Sequence, residues 1–294
     1  MPNIKEVVDR IGSVTSTQQI TKAMKMVAAA KLNKVQQQVQ TMRPYATKLA
    51  TILENVTAST EQSFAQQYLT ERPVNHLLVV VISADRGLCG SSNTNVLNRA
   101  LKYIQETTHT LPQAQVTVLP IGKKAHSFFA KRGFQLRTDY VALSGQLRFA
   151  EAGQAAAALT QAFLQGTYDK ILLVYNEFQS AATQAPVVSQ LLPIAHQTAE
   201  ENAVPTGNVR EYIHEPSKEA LVETLVPQSL QIQFYKALLE ANASEHGARM
   251  TTMSKATDNA DELLQSLRLT YNRNRQAAIT REISEIVAGS EALS

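Results

Sequence analysis

The sequence contains no tryptophan and a single cysteine, and aromatic residues make up only 6% of its 294 positions. One thiol, Cys89, excludes an internal disulfide and suits a reducing compartment. So few bulky rings fit narrow helix-on-helix packing better than a wide globular core. No run reaches the roughly 18 to 20 apolar residues of a membrane-spanning helix, so membrane contact is expected only through partners. The N-terminus has neither an apolar h-region nor an Arg/Ser-rich presequence, and no targeting segment is expected. Acidic residues are absent from positions 11–53, which do hold Lys22, Lys25, Lys31, Lys34, Arg43 and Lys48. A net charge of only +3 does not imply nucleic acid. A local cationic belt is either a solvated face or a surface for an acidic partner.

What the chain does have is helical periodicity at both ends. Ile20–Leu32 is built from Ala, Met, Lys and Leu, residues that lose little rotamer freedom in a helix. Ile20, Met24 and Val27 stand at the spacing of one helical face and predict a narrow apolar stripe. Val35, Val39, Met42, Ala46, Leu49, Leu53 and Val56 extend the heptad pattern. Residues 4–57 therefore read as one helix roughly 80 Å long, with a kink or loosened turn expected at Pro44. Near the other end His246, Met250, Met253, Thr257, Ala260, Leu264, Leu267, Tyr271, Asn274 and Ala278 hold the same spacing. A helix this long needs a partner, and two such helices flanking a middle domain pair antiparallel. Met24, Met26, Met250 and Met253 read as seam filler or as an adaptable apolar surface.

The middle has a different texture. His76–Ser83 is a continuous apolar run, as expected of a strand buried on both faces. Val116–Ile121 and Lys170–Tyr175 repeat that pattern, and helical stretches at 95–106, 124–131 and 149–164 intervene. Val187–Ile194 carries Pro186 and Pro193 at its ends and is confined to a sheet edge. Alternating strands and helices indicate a small, mainly parallel α/β domain. The expected fold combines α/β and all-α parts: a long antiparallel coiled coil of the terminal helices, with a Rossmann-like α/β foot inserted between them. The expected boundaries are 1–57 for the first helix, 58–73 for a linker, 74–195 for the foot, 196–211 for a second linker and 212–294 for the last helix.

Candidate chemistry is sparse. Asp85-Arg86-Gly87-Leu88-Cys89-Gly90 follows the first strand at the edge where α/β sheets bind ligands. It matches neither a P-loop nor a dinucleotide fingerprint, and Cys89 has no sequence-identifiable His partner. A structural turn, with Asp85 or Arg86 making a local or partner contact, is the reading these residues favour. Gly122-Lys123-Lys124 resembles the tail of a phosphate loop without its leading glycine. The six histidines show no metal-ligand spacing. Arg273, Arg275, Gln276 and Arg281 lie on the last helix as a solvated face or as donors for carboxylates on a surrounding protein. Two rival readings are an α/β thiol or nucleotide enzyme with a coiled-coil arm, and a coiled-coil chaperone or nucleic-acid arm. The first predicts activity lost on Cys89→Ser, and the second predicts strongly salt-dependent nucleic-acid binding.

Three signatures, in order, resemble the gamma subunit of bacterial F-type ATP synthase along nearly the whole chain. They are Arg10-Ile-Gly-Ser-Val with Gln19–Leu32, then Asp85–Gly90, then Ala277–Gly289 with Thr257–Ala260 and Tyr271–Gln276 upstream. The chain departs from that pattern at Ser92, His214, Ser290 and Glu291. The resemblance implies a non-catalytic central-stalk rotor subunit of a proton-translocating synthase, without cofactor or metal. It implies partners: the alpha and beta subunits of the head, the epsilon subunit and the membrane ring of c subunits. It implies coupling of proton-driven rotation to ATP synthesis, control of ATPase activity and proton flow, and a peripheral place on the cytoplasmic face of the inner membrane. By position in the pattern, Met24, Lys25 and Arg249 would face an acidic segment of beta, and Arg275, Gln276 and Thr280 would meet its catch loops. Asp85, Arg86, Gly87, Cys89 and Gly90 would form the foot-domain turn.

Overall fold

The computed structural model describes residues 4–58, 66–145, 147–194 and 218–291. In chain order the elements are α1 (Ile4–Ala58), α2 (Gln66–Leu69), β1 (His76–Ile82), α3 (Ser92–Thr110), β2 (Gln115–Ile121), α4 (Lys123–Ala130), β3 (Gln135–Leu136), α5 (Phe149–Leu164), β4 (Lys170–Phe178), β5 (Gln184–Leu192) and α6 (Lys218–Glu291). A single 3-10 turn, Val141–Ser144, precedes α5. The helix α1 runs through Pro44 without a break, and α6 likewise contains Pro227. The expected linker at 58–73 contains α2, and that at 196–211 lies outside the described residues. By its contacts the chain forms two compact units, Met1–Ala29 with Arg249–Ser294, and Ala30–Ala248.

The larger unit is organised by a five-stranded sheet in the order β3-β2-β1-β4-β5. The pairs β1–β2, β1–β4 and β2–β3 are parallel, while β5 runs antiparallel to β4 along the edge. That edge position suits Pro186, which has no N–H to give to a second neighbour. The short strand β3, too brief for a periodic signal, is an addition to the expected set. From Leu77 to Ile82 every residue of β1 is buried, which explains its unbroken apolar run: helices cover both faces. On one face Leu77, Val79 and Val81 pack with Val96, Ala100 and Ile104 of α3 and with Ala125 and Phe129 of α4. On the other face lie α5 and the first half of α6. Phe149 and Tyr235 meet edge to face at 5.3 Å, and Ile82 shares a small crevice with Leu238.

In the smaller unit, α1 and α6 run antiparallel. Thr21 Oγ1 and Thr257 Oγ1 share a hydrogen bond at 2.9 Å, Lys25 Nζ donates to Ser254 Oγ at 2.9 Å, and Gln18 Nε2 donates to Asp261. Partner numbers fall as α1 numbers rise, which fixes both direction and register. The α6 heptad is seated as the sequence predicts: Met253, Ala260 and Leu264 are buried, and Met250, Thr257, Leu267, Tyr271, Asn274 and Ala278 are half-buried. On α1 the pattern from Val35 is seated too, with Val35 and Leu49 buried and Val39, Met42 and Ala46 half-buried, but the stripe through Ile20 and Val27 is not. Ile20 is 60% exposed and Val27 57% exposed, whereas Thr21 and Ala28 are buried. The seam is Val7, Ile11, Val14, Gln18, Thr21, Lys25 and Ala28, in strict four-and-three steps. The expected face was one residue out of register. Met26, also 60% exposed, is not seam filler.

Candidate functional site

The six residues expected to meet partners lie in the smaller unit at two levels. Met24 and Arg249 are half-buried, and Lys25 is exposed with its ammonium resting on Ser254. An ammonium has three donors, so the bond to Ser254 leaves two for an incoming carboxylate. Lys22 is exposed beside it, and among the described residues no ion pair engages Lys22 or Lys25. Arg275, Gln276 and Thr280 are all exposed. At about 1.5 Å per residue, Arg275 stands roughly 40 Å along α6 from Arg249. The register, with Lys25 on Ser254, places Arg249 about 8 Å along the pair from Lys25 and the other three far beyond. Thr280 Oγ1 turns back on Gln276 O at 2.9 Å, so its hydroxyl hydrogen is spent within the helix.

Residue-by-residue reading of the sequence missed the apolar groups around these cations. Ile20, Met26 and Val27 form an exposed cluster on the outer side of α1. On α6, Ile279, Ile283, Ile286 and Val287 are exposed at helical spacing, over a stretch where every described residue from Arg281 to Ser290 is exposed. Counting the heptad back from Val35 to Ala28, Lys25 and Thr21 is the signal that would have found the first cluster. A monomer seldom leaves such a stripe bare without a partner for it.

In the α/β domain the Asp85–Gly90 segment is a tight turn held from within. Asp85 Oδ1 accepts from the Lys123 N–H at 3.0 Å, tying the turn to the start of α4. Asn93 Oδ1 accepts from Ala84 N at 3.0 Å, and its Nδ2 donates to Cys89 Sγ at 3.1 Å and to Arg86 O at 3.4 Å. Cys89 is 1% exposed, which keeps its thiol away from substrates. Leu88 sits at φ 62°, a left-handed conformation unusual for a non-glycine residue, with its side chain in solvent. Gly122, at φ 96°, answers the phosphate-loop question: a Cβ there would stand 2.1 Å from Ser83 O. The glycine lets β2 turn into α4 beside β1, and Ser83 Oγ caps that helix by accepting from Ala125 N at 2.8 Å. Among the described residues no cluster of His, Cys, Asp and Glu is placed to hold a metal.

One buried carboxyl stands apart. Glu240 of α6 lies against Tyr175 of β4, with Lys236 Nζ at 3.6 Å from Oε1 and no partner for Oε2. Burial, reinforced by nearby Glu177, pushes its protonation above the ordinary carboxylate range despite Lys236. Burial also pushes the Tyr175 hydroxyl upward.

The helix pair exposes cations and apolar groups, and the Asp85–Gly90 turn of the α/β domain is closed by its own hydrogen bonds, a combination with more surface for a partner protein than for a substrate. Comparisons with known proteins agree. A family model described as ATP synthase matches residues 3–293. The ATP synthase gamma chain of Amoebophilus asiaticus is 55% identical over the full length of both chains, and that of Cytophaga hutchinsonii is 50% identical over 100% of this chain and 99% of the relative. The chain belongs to the ATP synthase gamma-chain family. Its fold is similar to a chain in the Euglena gracilis mitochondrial ATP synthase rotor, with TM-score 0.58 at 24% identity over 94% of this chain and 98% of that one. A chain of the same organism's OSCP/F1/c-ring assembly gives TM-score 0.63 at 23% identity over 99% and 94%. No described helix is long and apolar enough to cross a membrane.

Proposed function

We propose that this chain is the central shaft of a proton-driven rotary ATP synthase, with residues 1–57 and 212–294 as the axle and 74–195 as the foot. The axle turns inside a ring of alternating alpha and beta subunits. The foot is held by the epsilon subunit and by the membrane ring of c subunits, on the cytoplasmic face of the bacterial inner membrane. The single observation that supports this reading most is the antiparallel pairing of the first and last segments, cationic and apolar on the outside, in a chain matched end to end by gamma chains.

The geometry suits the work. Lys25, with Met24 and Arg249 beside it, is the cationic level that meets an acidic segment of beta. Exposed ion pairs are worth about 0–1 kcal/mol each, weak enough to break and re-form on every turn. Arg275, Gln276 and Thr280, at the second level, engage loops of the head, with arginine suited to paired contacts with carboxylates. The stripe Ile279, Ile283, Ile286 and Val287 gives the head an apolar surface to cover. The Asp85–Gly90 turn is structural and presents Arg86 and Leu88 outward. Nucleotide chemistry belongs to the partners.

Reconstitution of the head from purified alpha and beta subunits, with and without this chain, tests the reading. The chain alone is expected to hydrolyse no ATP, and the head is expected to reach its full ATPase rate only when the chain is present. Equal rates without it would reject the proposal.

A further inference from the structure

An open α/β sheet leaves a crevice at the carboxyl ends of its strands where successive connections depart to opposite faces, and such folds bind their ligands there. Here that place is beside β1 and β4, whose connecting helices α3 and α5 lie on different sides of the sheet. It is filled by the chain's own α6. Ser244, with no exposed surface, donates from Oγ to the Asn176 carbonyl at 2.9 Å. Asn176 in turn donates from Nδ2 to both the carbonyl and the Oγ of Ser92, at 2.9 Å each, where α3 begins. One residue of β4 is thereby bonded to helices on both layers. Three positions further along the same face of α6, Gly247 passes the β4–β5 hairpin. A Cβ on it would stand 3.1 Å from Phe178 Cε2 and 3.2 Å from the Ala181 Cα.

We propose that this is a keyed joint, which stops α6 from turning about its own axis or sliding against the sheet, so that a twist applied to the α/β domain reaches the helix directly. Apolar contact is non-directional: it resists separation of two surfaces but only weakly resists slip. A hydrogen bond is directional, and a glycine slot admits one residue only. Turning α6 by one residue, about 100°, would set Glu245 in place of Ser244 and Ala248 in place of Gly247. The first change buries a carboxylate against a carbonyl, and the second puts a methyl into the hairpin backbone. The joint thus has one permitted orientation.

The inference rests on the shaft reading, and one experiment separates the two. The assembled head is fixed to a surface and a bead is attached through Lys102→Cys on the exposed face of α3, the buried Cys89 staying unlabelled. Failure of the bead to turn with ATP on the otherwise unaltered chain overturns the shaft reading. With rotation established, Ser244→Ala is expected roughly to double the angular variance of the paused bead without changing the hydrolysis rate. Variance scales inversely with stiffness, and one of the joint's two restraints has been removed. Ser92→Ala, which leaves the Ser92 carbonyl as acceptor, is expected to give a smaller rise and serves if the first variant fails to assemble. Rotation with variance unchanged in the variant that assembles overturns the joint.

Discussion

The two compact units solve the same problem, burying a chain, with opposite materials. In Ala30–Ala248 the core residues are Leu, Val, Ile and Phe with essentially no exposure, stacked on a sheet whose central strand is covered on both faces. In Met1–Ala29 with Arg249–Ser294 the seam carries Thr21, Gln18 and Lys25 against Thr257, Asp261 and Ser254 between the buried Val7, Met253 and Leu264, while Ile20, Val27, Ile279, Ile283 and Ile286 stand outside. Apolar burial supplies most of the stability of the first. Polar seam residues cost stability in the second and fix register instead, as a polar position does in a coiled coil. A helix pair with so much exposed apolar surface has less burial to stabilise it than the sheet unit has.

The largest effect that would sharpen this contrast is in the α/β unit. Gly122→Val forces a β-branched side chain into a left-handed conformation and against the Ser83 carbonyl, and should cost more than about 4 kcal/mol. Chemical denaturation followed by circular dichroism would show it, and a retained midpoint would mean the β1–α4 junction is not rigid. In the rod, Thr21→Val leaves the Thr257 hydroxyl without its cross-helix partner and should cost about 1 kcal/mol, with most of that returned when Thr257→Val is added. A double variant worse than the single one would show that the seam needs its hydroxyls for stability after all. Smaller still is the pH response of the α/β unit. The folded chain holds the Glu240 proton more tightly than the unfolded chain does. The stability this one group contributes should therefore be greatest at and below the ordinary carboxylate value of 4.5 and fall as pH rises through the raised one. Glu240→Gln should flatten that slope and raise the melting temperature at pH 8, leaving it unchanged near pH 4. The smallest change is expected from Ile20→Ser, within about 0.5 kcal/mol for the chain alone because the side chain is already in water. Its effect should appear instead as weaker assembly with the head, measured by co-purification.

Much of this architecture is written in local patterns. Leu77–Ile82 announces a strand covered on both sides because only such a strand tolerates an apolar residue at every position, and Pro186 places β5 at the edge because it lacks a donor. The α6 heptad from His246 to Ala278 was legible for the same reason. The α1 seam was legible from Val35 onward but misjudged by one position before it because bulk was taken as the guide: Ile20, Met24 and Val27 are the larger side chains, yet the buried line runs through Thr21 and Ala28. Hydrophobicity marks what must be covered, and in an assembly the covering surface belongs to another chain. The split of the proposed contact residues into two levels follows from helix rise and was accessible from numbering. The hub at Asn176 was not, since Ser92, Asn176 and Ser244 are far apart in sequence and only the folded sheet brings them together.

The bare stripe of Ile279, Ile283, Ile286 and Val287 has a bearing on the life of the chain before it joins anything. A copy made in excess displays a row of branched aliphatic side chains with nothing over them, the kind of surface that chaperones bind and proteases degrade. An unassembled copy is therefore expected to be degraded faster than one whose stripe is covered.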